Sequence, residues 1–492
     1  MHGSRTNDAP IEEDWSRIPA VKLPVWVRAL DAAAIVALVL TLFVFLFGGF
    51  SIYFSLVPLR VHSTERILFI ALALIAVRHA AHPSTPLHTR LLAWMRRRDE
   101  RPAGNAAAFA LATRIAVLFV AYMAVATIGA DRATTGFEVS RDKLENLPAR
   151  FDAGWYGGIA LDGYDFRGHF EVQQNIVFFP AYPILLRAAG YPLGAFGPGL
   201  PRDRRMARLL WGGVILSLIA FTWAGAYLWR LARETIGDAR AFDAVVLLAA
   251  YPFALYFSAA YTESLFLLGT VGAMYHFRRD EWVKAGAWGL LVGLTRPNGC
   301  LLSAVLACLI AERLWRDRHR ISTIPQSLVV KSLASAAMPG IGMLIYSAYI
   351  KHLTGQFFGW ARLQETWGRA YSGLAPVERA YGWITDEGLF RVVENLPYDT
   401  LNSLGLIFAL VMLWPVWRRL GPAFALLVLL NVVPPMLAGG VLSLGRMTST
   451  LFPLFLALAA TASPRTITAL VIAFATCQGL ATVLFFTWRP LF

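Results

Sequence analysis

The chemistry-bearing residue types gather in a few short stretches. Asp152 lies in Arg150-Phe151-Asp152-Ala153-Gly154-Trp155-Tyr156, and Asp162-Gly163-Tyr164-Asp165 follows closely. A carboxylate set among aromatic rings is partly desolvated, and desolvation makes a carboxylate a stronger base. Trp155 and Tyr156 offer flat faces on which a sugar ring can stack, and Asp162 and Tyr164 add polar groups. The same letters also describe solvated acids in an interfacial aromatic belt. Two single arginines, Arg296 in Thr295-Arg296-Pro297-Asn298-Gly299 and Arg446 in Leu444-Gly445-Arg446, stand at the edges of apolar runs. Each could hold a phosphate, and each also reads as a snorkelling side chain at a turn.

Tyr261-Thr262-Glu263-Ser264 opens another apolar run. Glu263 in a first helical turn is favoured by the helix dipole, so it reads either as a capped start or as the orienting partner of an active-site group. Gln364-Glu365-Thr366-Trp367-Gly368-Arg369 carries the last candidates. Gln364 and Trp367 suit a sugar or a lipid phosphate, and they equally suit a helix lying on a membrane.

The elements that must position these residues are membrane helices. The 492 residues are 57% hydrophobic and only 15% charged, against about 25% charged in soluble domains. Mean hydropathy is +0.53. Apolar runs fall near 29–50, 65–81, 107–129, 207–230, 241–258, 262–277, 283–296, 298–313, 328–350, 399–417, 421–439, 449–462 and 466–487. A bilayer crossing takes about 20 apolar residues. The runs therefore predict an all-α polytopic membrane protein with about eleven to thirteen transmembrane helices.

The net charge of +14 would suggest nucleic acid in a soluble protein. Here Lys and Arg sit in alternate short loops (Arg90 to Arg101, Arg230 to Arg240, Arg278 to Lys284, Arg313 to Arg320, Arg418 and Arg419), which reads as cytoplasmic orientation and not as a nucleic-acid surface. Residues 1–28 then form a cytoplasmic segment, polar and mixed in charge, unlike a cleavable signal peptide. Residues 29–492 form one transmembrane domain. Two long stretches, about 130–206 and 351–398, fall on the outer face. That assignment requires Phe178 to Leu193 not to cross, and Pro180 and Pro183 interrupt any long helix there. Juxtamembrane helices are expected in both stretches. Cys300, Cys308 and Cys477 have neither metal nor disulfide spacing and read as packing residues.

Outside the cytoplasm there is no nucleotide-sugar pool, so a sugar donor used there arrives on a membrane-borne lipid phosphate. An enzyme using it needs a base, cations for the leaving phosphate, and an apolar groove.

At these residues the sequence resembles the PIG-V family, the GPI mannosyltransferase II type and its bacterial relatives, within the GT-C glycosyltransferase superfamily. The matching blocks are RFDAGWYGGIALDGYDF (150–166), NIVFFPAYPILLR (175–187), YPFALYFSAAYTESLFLL (251–268), GLTRPNGCLL (293–302), ARLQETWGR (361–369) and SLGRMTSTLFPLF (443–455). The resemblance implies a GT-C-like helix bundle and an inverting transfer of mannose from a polyprenyl-phosphate donor. It implies that Asp152 matches the superfamily's acidic residue of the first outer loop, the base. On the reading of the residues themselves, Arg296 and Arg446, with Arg369, hold the donor phosphate, and Trp155, Tyr156, Asp162, Tyr164, Tyr261, Glu263, Gln364 and Trp367 are the expected substrate contacts. No cofactor is expected, although some GT-C relatives use a divalent metal. The acceptor is a lipid, a glycan or a protein, and a bacterial inner membrane is the expected location. The chain departs from the family at Phe151 and Met447, where Trp and Tyr are common. The extra segment 29–81 has no role readable from its residues. A transporter or lipid flippase is the competing reading, and a GT-C enzyme using another lipid-phosphate sugar is a second. Transporters tend to place charges near the midplane within repeated halves, whereas these charges lie at run ends and in the two long stretches, and no repeat is evident.

Overall fold

A computed structural model describes residues 24–47, 50–54, 57–61, 63–83, 102–131, 133–319, 325–489 and 491. The basic loop Arg90 to Arg101, Arg320 and most of the N-terminal segment 1–28 lie outside the described residues. The chain divides into two compact units, one of residues 1–51 and 60–97, the other of residues 52–59 and 98–492.

In the first unit the helices Val25–Phe47 and Thr64–Ala81 pack side by side. A buried ion pair ties them: Arg78 Nε donates to Asp31 Oδ1 at 2.7 Å. Ser63 caps the second helix by accepting the N–H of Arg66. Between these helices the chain forms a two-stranded sheet, Phe50–Phe54 with Val57–Val61, a departure from the all-α expectation among the described residues.

The second unit is the helix bundle that carries the site, and with it the chain is an all-α polytopic membrane protein. Among the described residues each of the thirteen apolar runs carries helix over most of its length. Seven helices are long and apolar enough to cross a bilayer among the described residues, and eight if the bent pair Asp238–Ala250 and Pro252–Ser258 counts as one span. The larger number expected reflects short helices. Glu263–Arg278, Trp282–Thr295 and Phe452–Thr461 have 16, 14 and 10 residues. Glu263–Arg278 is buried along nearly its whole length, and a helix surrounded by protein need not match the full lipid thickness. Outward faces of the long helices expose Ile219, Val411 and Ile472, as lipid contact requires.

The bend between Asp238–Ala250 and Pro252–Ser258 measures 82°. Pro252 removes a backbone donor there and frees carbonyls of the preceding turn. Arg114, fully buried on the helix Pro102–Thr127, meets carbonyls on both sides of the bend. It donates to Ala249 O at 2.5 Å and to Ala254 O. Gln478, from Pro464–Phe486, donates to Ala249 O and Tyr251 O at 3.0 and 2.7 Å. A cation at a helix C-terminus also complements the helix dipole. The bend fixes where Tyr256, Tyr261 and Glu263 emerge.

The long stretches 130–206 and 351–398 contain short helices: Ala153–Asp162 and Ala181–Gly190 in the first, and Gly359–Arg362, Ala375–Glu387 and Leu389–Asn395 in the second. Ala181–Gly190 has ten residues, roughly 15 Å at 1.5 Å per residue, too short to cross.

Candidate functional site

Asp152 sits at the N-terminus of Ala153–Asp162, directly after a backbone kink. Phe151 has φ of +43°, a conformation that non-glycine residues rarely adopt. The kink is held from both sides. Arg150, 1% exposed, donates from Nε to Phe486 O at 2.8 Å and from Nη1 to Asn146 O and Ala149 O. The Tyr261 hydroxyl accepts the Asp152 N–H at 3.0 Å and donates to Arg150 O at 3.4 Å. The Phe151 ring packs on Trp488 and Phe485 at centroid distances of 4.6 and 5.3 Å. Strain of this kind persists only where surrounding structure enforces it, and it clusters at functional sites.

Arg446 comes to Asp152 from 294 residues away in sequence. Its Nη1 donates to Asp152 Oδ2 at 2.7 Å. Its Nε lies 2.9 Å from Glu263 Oε1, and Arg296 Nη1 lies 3.2 Å from that same oxygen. Glu263 has no exposed side-chain surface. Asp152 keeps 23% of its side chain exposed. The Arg446 guanidinium rests over Tyr261 and Tyr256 at 5.3 and 5.7 Å, and Arg296 rests over Phe266.

Glycines allow these approaches. A Cβ on Gly445 would stand 2.1 Å from the Phe253 ring, and Gly405 meets Gly445 backbone to backbone. A Cβ on Gly293 would stand 1.9 Å from Pro339 O, so the chain entering Arg296 lies flush against the helix Gln326–Thr354. Asn402 Oδ1 accepts the Gly445 N–H at 2.9 Å and fixes the start of Leu444–Ser449.

Arg369 completes the cationic side. Its Nη2 approaches Leu442 O at 3.4 Å. Burial, assisted by the nearby charges of Arg446 and Arg296, pulls its pKa down to about 10, and the negative charge of Asp152 opposes the shift. It remains charged near neutrality. Burial, reinforced by the Asp152 charge, raises the pKa of Tyr156, which keeps its proton.

An aromatic wall adjoins Asp152. Trp155 stacks on Phe178 (5.9 Å, 17°), and Trp367 meets Trp155 and Phe178 edge-on, both at 5.2 Å. Tyr156 packs against Phe178, Tyr182 and Tyr261. The Trp367 indole N–H is buried without a partner.

Three expected substrate contacts stand elsewhere or differently. Asp162 pairs with Arg202 on the surface, both side chains more than half exposed. Tyr164 donates to Phe178 O at 2.7 Å and packs on Tyr346, so it braces the aromatic wall from behind. Gln364 contributes its backbone carbonyl to the Arg369 N–H at 3.0 Å. Residues not singled out in the sequence also belong here: Phe178, hidden in FFPAYP, where the prolines drew the reading, and Tyr256, five positions before Tyr261 in the YPFALYFSAAYTES block. Among the described residues no group of three or more His, Cys, Asp or Glu side chains is arranged to hold a metal ion.

Residues 133–363, just under half of the chain, match the family model described as Mannosyltransferase (PIG-V). This part of the chain is similar to the PIG-V mannosyltransferases. The matched region contains Asp152, Glu263 and Arg296, whereas Trp367, Arg369 and Arg446 lie beyond its end. A relative named GPI mannosyltransferase 2, from Drosophila pseudoobscura pseudoobscura, is 26% identical over 113 residues. That alignment covers 23% of this chain and 24% of the relative. No solved structure matches the chain.

Proposed function

We propose that the protein is a membrane mannosyltransferase that moves mannose from a polyprenyl-phosphate donor to an acceptor hydroxyl in one displacement. The PIG-V match supports the sugar. The observation that carries the reaction type is the juxtaposition of one partly exposed carboxylate with three arginines beside an aromatic wall. Arg446 takes Asp152 Oδ2, which leaves Oδ1 to receive the proton of the acceptor hydroxyl. The hydroxyl oxygen attacks the anomeric carbon as the bond from that carbon to the phosphate oxygen breaks. The bonding pair leaves with the lipid phosphate, whose charge Arg296, Arg446 and Arg369 meet. One displacement inverts the anomeric configuration, and a single carboxylate serves as base.

The donor's location follows from orientation. Glu263 opens its helix and Arg278 closes it, about 23 Å apart at 1.5 Å per residue. The basic groups Arg278 to Lys284, Arg313 to Arg318 and Arg418 to Arg419 belong to the end opposite the site. By the positive-inside rule the site then faces away from the cytoplasm, in a bacterial inner membrane on this reading. A donor there comes through the lipid.

The test is incubation of the purified protein in proteoliposomes with polyprenyl-phosphate-mannose and a membrane lipid extract, followed by mass spectrometry. A mannosylated product with released polyprenyl phosphate is expected. Donor scrambling without any glycosidic product would instead establish the flippase reading.

A further inference from the structure

Glu263 is the site's most deeply buried charge, and the transfer step just described gives it no task. A carboxylate removed from water is costly unless it is paired and hydrogen-bonded. Glu263 is only half provided for. Oε1 lies between Arg296 and Arg446 at 3.2 and 2.9 Å, while Oε2 is buried without a partner. The Arg446 Nε contact is an ion pair whose N–H is not aligned on the oxygen, so that nitrogen also lacks a hydrogen bond. Of the eight buried side-chain atoms without a hydrogen-bond partner among the described residues, Thr262 Oγ1, both Glu263 oxygens, Trp367 Nε1 and Arg446 Nε are grouped at this site. Elsewhere in a folded chain such groups are paired.

Arg446 is rigid, planar and held at two edges. Nε faces Glu263 and Nη1 faces Asp152. Its orientation therefore transmits the position of one carboxylate to the other. Beneath it Tyr256 and Tyr261 prevent tilting. From this geometry we infer that Glu263 is a positioning residue: by fixing the Arg446 guanidinium from its Nε edge, it aims the free oxygen of Asp152 at the acceptor hydroxyl. It touches neither substrate. The inference rests on the transfer reading above.

Glu263→Gln keeps the shape and removes the charge that faces the Nε edge of Arg446. The assay is turnover of polyprenyl-phosphate-mannose with a membrane lipid extract, per folded molecule, with folding measured by size exclusion and melting in detergent. Expected is a fall in kcat on the order of 10²-fold, the scale of an ångström-level misplacement, with the donor KM within a few-fold of wild type. In an Asp152→Asn background, followed by long incubation and mass spectrometry, adding Glu263→Gln is expected to cost nothing further, because its effect passes through Asp152. A purely structural Glu263 would lower the folded yield and leave kcat per folded molecule unchanged, which overturns the inference. Multiplicative losses in the double variant overturn it as well. If Glu263→Gln does not fold, Arg446→Lys carries the test. An ammonium cannot face both carboxylates at once, so a comparable drop in kcat is expected, and wild-type kcat refutes the claim. Full turnover by Asp152→Asn alone would instead sink the transfer mechanism on which this rests.

Discussion

Two buried arginines in the same bundle make opposite use of their charge. Arg114 lies in the middle of an apolar span and contacts backbone carbonyls, the neutral side chains of Gln478 and Thr113, and the Phe221 ring, with no carboxylate among these partners. It repairs the carbonyls exposed by the bend at Pro252. Arg446 lies at the end of the bundle and joins two carboxylates, one of them incompletely satisfied. The difference teaches how to read a charge in a membrane protein. A guanidinium whose partners are backbone atoms holds the fold, while one shared between side chains, with unpaired atoms around it, marks a place for chemistry.

That contrast can be broken most directly at Asp152. Asp152→Asn is expected to lower transfer by about 10²–10⁴-fold while leaving the melting temperature within a degree or two of wild type. Labelled-donor turnover and a melting curve in detergent check both halves, and normal turnover would refute the assigned role. Arg114→Met is expected to do the reverse. It removes the donor that Arg114 gives to Ala249 O and Ala254 O and weakens the bend, costing about 1–3 kcal/mol of stability, seen by denaturant unfolding in detergent. Activity per folded molecule should stay near wild type, and a large rate loss in stable protein would erase the distinction drawn here. Tyr261→Phe tests the kink between the two regions. Without the hydroxyl, Phe151 can relax and Asp152 turns, so a rate loss of roughly tenfold is expected with about 1 kcal/mol of destabilisation. The smallest effect is expected at Asp162. Its pair with Arg202 is exposed on both sides, so Asp162→Ala should change stability by less than about 0.5 kcal/mol and leave turnover unaltered.

Much of this arrangement could be read from the sequence, and the remainder failed for definable reasons. Helix positions followed apolar runs, because backbone groups in lipid must be satisfied within the helix itself. Glu263, Arg296 and Arg446 stand out as charges at run ends and Asp152 and Arg369 as charges in the two long hydrophilic stretches, and the structure brings them to one end of the bundle. Their pairing was not legible, since nothing in local pattern relates position 152 to 446. Arg114 escaped because one cation in a 26-residue apolar helix does not disturb the hydropathy of the run. Tyr164 and Asp162 were grouped with Asp152 by proximity in the chain. However, the helix Ala153–Asp162 ends at Asp162, and its far end faces the surface and Arg202. The kink at Phe151 had no signal, because phenylalanine gives no hint of a positive φ. The sheet between residues 50 and 61 falls almost wholly in the gap between the runs 29–50 and 65–81, where hydropathy alone carries no strand signal.

The seat of Arg446 has a practical consequence for anyone mutating this protein at random. Positions 405 and 445 carry no functional group, yet a methyl at 445 would overlap the Phe253 ring and one at 405 would press on the Gly445 backbone. A library scored for catalysis should therefore lose activity at these two silent glycines on separate helices, although an alanine at either alters no charge.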